Sequence, residues 1–366
     1  PIEQVPVDAA DHVVVLPYSS GTTGLPKGTM LTHDNLVVNL LQCDYVDGRF
    51  WEAGKDVIIS PLPFFHIYGF MYSVHIAAHN GCTLVTMPRF DMEVFCQLVE
   101  THKATRAHLV PPITLGLAKS PLVDQYDLSS LKMITSAAAP LGAEIETAAR
   151  DRLGHGVSIK QAWGMSELSP LGTCVPDDAL KNNSGTVGPP CAHTSIKVVD
   201  LETGEALPQG EEGEFCVKGP QVMQGYLDLP DKTRECLTED GWLMTGDIAK
   251  IDADGYVYIT DRLKELIKYK GFQVAPAELE EVLCSHPGVA DATVIPVEDD
   301  EAGELPRAYV VRKTDDVTED SVSAFVAERV APHKKLRGGV VFIDAIPKTA
   351  SGKILRREVV AMDRGE

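Results

Sequence analysis

Positive charge is scarce in this sequence. Among its 366 residues, Lys and Arg together number 33 while Asp and Glu number 53, which gives a formal net charge of −20. A chain this acidic is repelled by the phosphates of nucleic acids and by anionic membrane surfaces. The composition therefore argues against nucleic acid or an anionic membrane as the main partner.

Long apolar runs and closely paired cysteines are also missing. No uninterrupted apolar run is long enough to span a bilayer, the start Pro-Ile-Glu-Gln does not have the pattern of a signal peptide, and the end is not a peroxisomal address. The eight cysteines are dispersed without a CxxC pair, which argues against a disulfide framework or a zinc site. We expect reduced thiols in a cytoplasmic protein without a membrane segment.

A loop rich in glycine and hydroxyl groups occurs early in the chain, over Tyr18–Gly28. Glycines let backbone N–H groups approach an anion, hydroxyls add donors, and Lys27 adds positive charge, so the loop is predicted to bind phosphate. It is not a P-loop, because no Ser or Thr follows Lys27 directly. An ordinary polar turn is the alternative interpretation. The candidate phosphate-binding residues are Ser19, Ser20, Gly21, Thr22, Thr23, Gly24 and Lys27.

Short apolar segments alternate with helical patterns over the first 180 residues, which predicts a layered α/β fold. From about 186 to 260, brief strands between Gly, Pro and Asp turns predict a β-rich subdomain. The predicted strands are 29–31, 57–60, 83–87 and 158–161, and the predicted helices are 92–102, 141–153 and one from a cap at Thr32 through Gln42.

A change in pattern near residues 261–264 predicts a second domain. We expect a large α/β domain over 1–262, including the β-rich subdomain, and a small mobile α+β lid over 263–366. The lid elements are predicted as a helix over 276–285, strands over 289–296 and 307–312, and a helix that begins at a Thr318 cap and continues to Val330.

Four further motifs follow the loop in a fixed order. They are Gln161–Glu167, Gly241–Asp247, Asp261–Lys268 and Ser351–Arg357. With the loop, they resemble the signatures of the adenylate-forming superfamily, which includes acyl-CoA ligases, peptide-synthetase adenylation domains and beetle luciferases. The segments 213–219 and 268–278 most resemble its 4-coumarate CoA ligase branch. Proteins of this kind have a sizeable region before the phosphate loop, whereas here 18 residues precede Ser19, so we expect the chain to lack an N-terminal part.

The resemblance implies an ATP-dependent, Mg²⁺-requiring carboxylic acid CoA ligase that forms an acyl-AMP and then a thioester. Lys353 resembles the lysine that contacts the α-phosphate and carboxylate, and Glu167 resembles the magnesium ligand. Asp247, with Arg262 nearby, resembles the carboxylate that binds both ribose hydroxyls. Trp163 stands where the family usually has Tyr against adenine, although a core tryptophan is the alternative. Further residues of the nucleotide-binding motif are Gln161, Ala162 and Ser166.

For thioester formation, the resemblance implies that the lid rotates about Lys264 and brings in a second face. Lys268 and Gln273 match catalytic positions of plant 4-coumarate ligases. A solvated, charged helix face is the alternative for the lysines. The residues expected near CoA are Arg89, Lys270 and Gly271.

The acyl pocket is the least defined site. His66 matches a position at the carboxylate entry, with a structural histidine as the alternative. Met71, Thr135 and Ala137 replace residues typical of plant ligases and make the wall more apolar, so either a cinnamate- or coumarate-like acid or a medium-chain acid fits. A luciferase-like enzyme, transfer to a carrier protein, or nucleotide binding without turnover are the alternatives to CoA ligation. The expected substrate-binding residues are Ile67, Tyr68, Met71, Leu109, Thr135, Ala137, Ala138, Gly164, Pro170 and Leu171.

Overall fold

A computed structural model describes residues 6–19, 26–47, 50–177, 184–349 and 352–365. The strands in these residues are β1 (Val13–Val15), β2 (Tyr18–Ser19), β3 (Lys27–Thr32), β4 (Val57–Ser60), β5 (Thr83–Thr86), β6 (Arg106–Leu109), β7 (Met133–Ser136), β8 (Ser158–Gly164), β9 (Leu171–Cys174), β10 (Ser195–Val199), β11 (Gly213–Lys218), β12 (Gly225–Tyr226), β13 (Leu243–Ile251), β14 (Val257–Arg262), β15 (Ile267–Tyr269), β16 (Phe272–Val274), β17 (Val289–Asp299), β18 (Gly303–Arg312) and β19 (Val340–Phe342).

The α-helices in the same residues are α1 (His33–Asp47), α2 (Ile76–His79), α3 (Met92–His102), α4 (Pro111–Lys119), α5 (Ala143–Leu153), α6 (Pro230–Arg234), α7 (Pro276–Ser285), α8 (Glu319–Ala327) and α9 (Arg356–Arg364). A π-helix covers Tyr68–His75, and 3₁₀ turns cover Pro121–Gln125, Ser166–Leu168 and Pro332–Lys334. No helix in the described part of the chain has both the length and the apolarity needed to cross a membrane.

Two compact units divide the chain. The first contains residues 1–245 and 250–258, and the second contains residues 246–249 and 259–366. The domain boundary expected at 262 stays a prediction.

A six-stranded sheet with the order β5-β4-β6-β7-β8-β9 forms the centre of the first unit. Its first five strands are parallel, and β9 is antiparallel to β8. Buried apolar side chains such as Ile58, Ile59, Ala107, Ile134 and Ile159 belong to its core. All residues of β6 and β7 are buried, as is usual for a parallel sheet covered on both faces, although β6 also carries the polar side chains of Arg106 and His108. The predicted α/β class is confirmed.

Two smaller sheets also contain residues of the first unit. One has the path β1-β3-β12, with β2 also paired to β3, and the other has the order β10-β11-β13-β14. The second sheet lies in the segment predicted to be rich in β-structure.

The second unit has its own sheet, with the order β16-β15-β18-β17 and with β19 paired to β18. The α+β pattern predicted for this part of the chain is confirmed. The predicted helix 276–285 matches α7, and Thr318 caps α8 through a capping box with Ser321, although α8 ends at Ala327 rather than at Val330.

Local sequence features explain several other boundaries. The Asp91 carboxylate accepts the N–H of Val94 at 2.9 Å and fixes the start of α3 as predicted. Thr32 Oγ1 accepts the N–H of Asn35 at 3.2 Å, but α1 continues to Asp47, beyond the predicted end. The strand predicted over 158–161 extends to Gly164, so the aromatic motif lies on β8 itself.

Candidate active site

The phosphate loop lies between two strands that pair with each other. Tyr18 pairs with Gly28 and Ser19 with Lys27, so the ends of the loop are held by an antiparallel hairpin. Lys27 is thus the first residue of β3, which fixes where its side chain starts. The predicted residues Ser20, Gly21, Thr22, Thr23 and Gly24 lie outside the described residues, as does the side chain of Ser19. Their contact with phosphate stays a prediction.

Lys27 belongs to a cluster that also contains Tyr226 and Glu167. The Lys27 ammonium lies 3.9 Å from the centre of the Tyr226 ring, a cation–π contact. The Tyr226 hydroxyl donates to Oε1 of Glu167 at 2.6 Å. Tyr226 is 5% and Glu167 is 5% exposed, and burial together with the Glu167 carboxylate raises the pKa of Tyr226 well above its ordinary value. The phosphate-loop lysine and the predicted magnesium ligand are therefore joined by one neutral tyrosine.

The donor set at Glu167 suits magnesium bound partly by substrate. Among the described residues, no group of three or more His, Cys, Asp or Glu side chains is arranged to hold a metal ion. Magnesium commonly takes one or two carboxylates and completes its coordination with phosphate oxygens and water. A single carboxylate linked through Tyr226 to Lys27, at the end of the predicted phosphate-binding segment, fits that pattern.

Trp163 lies on β8 and is almost fully buried, at 8% exposure. Its ring meets the Phe215 ring edge-on, with the centroids 4.9 Å apart. A Cβ added to Gly172 would lie 2.5 Å from the Trp163 ring, so this glycine is required for the close packing. These contacts are those of a core tryptophan, and adenine stacking stays a prediction.

The neighbouring residues of the same motif are held by internal hydrogen bonds. The Gln161 amide donates to the Leu141 carbonyl at 2.8 Å and to Glu146 at 3.0 Å, and its oxygen accepts the N–H of Leu141 at 3.1 Å. The Gln161 side chain therefore anchors β8 to the segment that leads into α5. Ala162 is buried on the same strand, and Ser166 begins the 3₁₀ turn that carries Glu167.

Tyr68 is the first residue of the π-helix, and His66 lies two residues before it. Nδ1 of His66 accepts the N–H of Tyr68 at 3.2 Å, so the ring nitrogen at this position is an acceptor. The Tyr68 hydroxyl donates towards the carbonyls of Thr135 at 3.1 Å and Leu109 at 3.4 Å. Since π-helical turns are frequent at functional sites, this segment is consistent with a role in binding. The catalytic role of His66 stays a prediction.

The other expected substrate-binding residues lie in or beside the main core. Ile67, Met71, Leu109 and Thr135 are at most 2% exposed. Ala137, Pro170 and Leu171 are also buried, and Gly164 is partly buried.

Two of these positions have unusual backbone requirements. Ala138 has φ of 76°, in the left-handed region that costs a residue with a Cβ about 1 kcal/mol or more. A Cβ on Gly164 would lie 2.2 Å from the Pro170 carbonyl oxygen, so no larger residue fits there. The close approach between the end of β8 and the start of β9 therefore depends on glycine.

In the second unit, Asp247 lies next to Arg262, as the resemblance implies. Arg262 Nε is 3.4 Å from Asp247 Oδ1, and Asp247 is 6% exposed. The backbone N–H of Leu263 donates to the Gly246 carbonyl at 2.8 Å, which fixes the two segments side by side. A buried carboxylate held by arginine is well suited to accept hydroxyl donors such as those of ribose.

Lys268 and Gln273 occupy opposite positions on β15 and β16. Directly paired residues of an antiparallel hairpin project from the same face, so these two exposed side chains are neighbours. The alternative of a charged helix face is wrong for Lys268, because this residue lies on a strand.

The turn between these strands contains Lys270 and Gly271. Both have positive φ, 47° and 82°, as a two-residue type I′ hairpin requires. The geometry of the turn is therefore sufficient to explain why glycine stands at position 271, without a contact to CoA. The Lys270 ammonium pairs with Glu301 at 2.5 Å, so the expected CoA contact would have to displace an exposed ion pair.

Lys353 lies on a turn closed by backbone hydrogen bonds. Its carbonyl accepts the N–H of Thr349 at 2.8 Å, and its own N–H donates to Thr349 Oγ1 at 3.1 Å. Two further predicted basic positions, Arg89 in the first unit and Lys264 in the second, are exposed.

Sequence reasoning missed two residues of this region. Tyr226 stands in a Gly-Tyr pair outside all of the sequence motifs, and its link to Glu167 becomes evident only in three dimensions. His108 is 2% exposed and exchanges a 3.0 Å hydrogen bond with Ser73. Burial, together with the charges of Arg106 and Lys160, lowers its pKa to about 3, so the ring is neutral.

Known proteins resemble this chain over most of its length. The pattern of the AMP-binding enzyme family matches residues 1–227, and that of the AMP-binding enzyme C-terminal domain matches 278–353. A 4-coumarate:CoA ligase 1 from Petunia hybrida is 46% identical over 357 residues, which are 96% of this chain and 65% of the relative. A 4-coumarate–CoA ligase 2 from Nicotiana tabacum has the same identity and coverage over 358 residues. The chain thus spans about 65% of the length of these curated relatives.

Solved structures of related enzymes also resemble this chain over nearly its full length. ATP-bound MatB from Rhodopseudomonas palustris superposes with a TM-score of 0.87 at 32% identity, over 99% of this chain and 70% of that protein. The anthranilate CoA ligase AuaEII in complex with anthranoyl-AMP gives a TM-score of 0.88 at 26% identity, over 99% and 69%. Taken with the two matched patterns, these similarities show that the chain belongs to the AMP-binding enzyme family.

Proposed function

We propose that this protein is an ATP-dependent carboxylic acid CoA ligase of the 4-coumarate CoA ligase type. The observation that carries the proposal is the Lys27–Tyr226–Glu167 cluster, which joins a cation from the phosphate loop to a carboxylate suited to magnesium. The names of the relatives, which are CoA ligases, support the same reaction class.

The first half-reaction joins the acid to AMP. A carboxylate oxygen attacks the α-phosphorus of ATP, the bond to the bridging oxygen of the β-phosphate breaks, and pyrophosphate leaves with that electron pair. Since two anions must meet, fixed positive charge and positioning supply most of the catalysis. Lys27 would hold the outer phosphates, Lys353 would act at the α-phosphate, and magnesium held by Glu167 would neutralise phosphate charge.

The second half-reaction transfers the acyl group to CoA. The thiol sulfur attacks the acyl carbonyl, the carbon–oxygen bond to AMP breaks, and AMP leaves while the thiol proton passes to solvent or a base. Lys268 and Gln273, adjacent on one face of the β15–β16 hairpin, are proposed to act in this step.

The substrate is proposed to be a cinnamate- or coumarate-like acid, with a medium-chain acid as the alternative. Within this set, the apolar character of Met71, Leu109 and Ala137 favours cinnamate or a medium-chain acid over an acid with a further polar group, such as the 4-hydroxyl of coumarate. A cytoplasmic location is proposed because all eight cysteines are free thiols.

The proposal is tested by acid-dependent pyrophosphate release from the 366-residue chain, with ATP, magnesium and a panel of acids from cinnamates to octanoate, with and without CoA. Lys353→Ala should lower pyrophosphate release by about 10²–10³-fold yet still convert pre-made acyl-AMP with CoA. Lys268→Ala should show the reverse preference. Lys313→Ala, a change at an exposed lysine of the second unit, is the control. Equal loss of both half-reactions in both variants would contradict the assigned roles.

Nucleotide binding without turnover is a second candidate. It is favoured by exposed apolar side chains on α1, because a core left partly uncovered would be less able to catalyse the reaction. Val37, Leu41 and Tyr45 recur every four residues and are 54%, 54% and 77% exposed. ATP binding measured by calorimetry, without pyrophosphate release for any acid of the panel, would favour this function over ligation.

A further inference from the structure

The turn that carries Lys353 has two ordered arms within the second unit. Lys348 and Ile354 form an antiparallel bridge, and the N–H of Leu355 donates to the Pro347 carbonyl at 2.9 Å. Helix α9 begins at the next residue, Arg356. The position of the Lys353 backbone therefore depends on the contacts that hold the two arms, residues 347–348 and residues 354–356.

The second arm is held by Arg356, whose guanidinium reaches two carboxylates. Its Nη2 donates to Glu280 Oε2 at 2.8 Å, and its Nε lies 3.3 Å from Glu265 Oε2. The first contact is an aligned hydrogen bond, while the second is an ion pair whose N–H is not aligned on the oxygen. The three side chains are only 13–18% exposed, so water screens these interactions weakly.

Glu280 is itself fixed on both sides. Its Oε1 accepts the N–H of Val294 at 2.8 Å and the hydroxyl of Thr293 at 2.9 Å, so it joins α7 to β17. Arg356 thereby fastens the start of α9 to these two elements. Charge-assisted bonds of this kind are about twice as strong as neutral ones.

The first arm has a matching anchor. The Lys348 ammonium donates to Asp291 Oδ2 at 2.6 Å, and Asp291 lies on β17. One ion pair therefore holds the chain five residues before Lys353, and another holds it three residues after. Both anchors involve β17, directly or through Glu280.

We propose that Arg356 is a positioning residue for Lys353, and that Glu265 extends this restraint to the segment that follows β14. The catalytic part of the inference rests on the proposed function, because it assigns Lys353 to adenylation. A long lysine side chain loses effectiveness when its backbone is displaced by about 1 Å, since reacting groups must be held closely. Arg356 acts through this placement and does not touch the reacting atoms.

Hydrogen exchange on the full chain tests the restraint without requiring activity. The amides of Thr349, Lys353 and Leu355 report the turn, and those of Ala308 and Val310, on β18, report the sheet of the second unit. Arg356→Gln should raise exchange at the turn about tenfold or more while leaving the sheet within about twofold, because the restraint is local. Arg364→Gln, which changes an exposed arginine of the same helix, should leave both unchanged.

If Arg356→Gln does not fold, Glu265→Gln tests the restraint on the Lys353 turn instead, because it removes one carboxylate and keeps the aligned hydrogen bond between Arg356 and Glu280. It should raise exchange at the turn about threefold, with the sheet unchanged. Unchanged exchange at the turn in a folded Arg356→Gln protein, or in Glu265→Gln where the first variant is unfolded, would overturn the proposal. Equal loss of protection in turn and sheet would show a merely structural residue and would overturn it as well.

The half-reactions add a functional readout. Arg356→Gln should lower kcat for pyrophosphate release by about 10–10²-fold, with KM for ATP within about twofold and with conversion of pre-made acyl-AMP within about threefold. Arg356→Lys, which keeps the charge, should recover part of the loss. If the unmodified chain releases no pyrophosphate with any acid, the proposed function fails, while the exchange data still decide the role of Arg356.

Discussion

Each unit of the described chain contains a cluster of charges that is largely shielded from solvent, and the two clusters are built differently. The core cluster, in the first unit, consists of Arg106 and Lys160 with Asp47, Asp56 and Asp177. The Lys160 ammonium forms ion pairs with Asp47 and with Asp177, the latter at 2.6 Å. The Arg106 guanidinium lies 3.2 Å from Asp177 and 3.9 Å from Asp56. Burial opposes the charge of Lys160, but Asp47 and Asp177 raise its pKa above the ordinary value. Two cations therefore offset three carboxylates.

The motif cluster, in the second unit, consists of Arg356 with Asp261, Glu265 and Glu280. One cation here faces three carboxylates. Burial is the main cause that raises the pKa of Glu280 to about 7 and of Asp261 to about 6. The core cluster is thus nearly balanced and suited to stabilising strands, whereas the motif cluster has an excess of acid and is expected to take up protons as the pH falls.

Removing Lys160 breaks the core cluster and should have the largest effect. Lys160→Met leaves Asp47 and Asp177 without their shared cation, so the free energy of unfolding should fall by about 3–5 kcal/mol. All three tryptophans, Trp51, Trp163 and Trp242, belong to the first unit, so urea unfolding followed by tryptophan fluorescence measures this unit.

The control for Lys160 is Lys55→Met, which changes an exposed lysine paired with Glu52 and should cost less than about 1 kcal/mol. A loss at Lys160 no greater than at Lys55 would mean that the core cluster does not stabilise the unit.

The contrast also shows what the sequence could predict. Helices α3 and α7 match their predicted bounds because the apolar residues of α3 recur at helical spacing and a proline at the first position marks the start of α7, and both features are local. The core cluster could not be predicted, because Asp47 and Lys160 are 113 residues apart and a charged residue within a strand usually faces solvent.

The candidate site divides in the same way. The motif residues Lys27, Glu167 and Lys353 were found from the pattern of residue types, while the side chains that hold them, such as Tyr226 and Arg356, depend on long-range contacts. Glu280, 76 residues before Arg356, has no local feature that marks it as its partner. Pattern therefore identifies reactive groups, and tertiary structure identifies what positions them.

Tyr72→Phe weakens the core cluster without removing a charge. The Tyr72 hydroxyl donates to Asp47 at 2.5 Å in a fully buried setting, and loss of a hydrogen bond to a charged group should lower the free energy of unfolding by about 1.5–3 kcal/mol. Tyr45→Phe, at an exposed position of the same helix as Asp47, is the matched control and should be neutral. Equal stability of the two variants in urea would show that the hydroxyl does not support Asp47.

The acid excess of the motif cluster predicts a pH effect confined to the second unit. Glu280 has a pKa of about 7 in the fold against an ordinary value of 4.5, so the folded state binds the proton more tightly than the unfolded state does. Its contribution is present below about pH 4.5 and is lost as the pH rises through about 7, with a change on the order of 1–3 kcal/mol.

The measurement is hydrogen exchange of β17 amides across that pH range, corrected for the intrinsic exchange rate. Glu280→Gln should flatten the dependence, since an amide does not titrate. A slope that persists in this variant would assign the pH effect to another group, with Asp261 as the first to examine because burial also raises its pKa to about 6.

Glu265→Gln should have the smallest effect on stability. Arg356 Nε lies 3.3 Å from Glu265 without an aligned hydrogen bond, and removal of one carboxylate relieves the acid excess, so the free energy of unfolding of the second unit should change by less than about 0.5 kcal/mol. Asp177→Asn is the corresponding change in the core cluster, where the lost carboxylate binds both cations, and it should cost more than about 1 kcal/mol. Hydrogen exchange of β17 amides measures the stability of the second unit in Glu265→Gln, and tryptophan fluorescence measures the stability of the first unit in Asp177→Asn. If the two variants lower the free energy of unfolding equally, the balance of charge does not distinguish the two clusters. If Glu265→Gln changes it less than Asp177→Asn does and also loosens the Lys353 turn, the motif cluster serves to position Lys353 more than to stabilise the second unit.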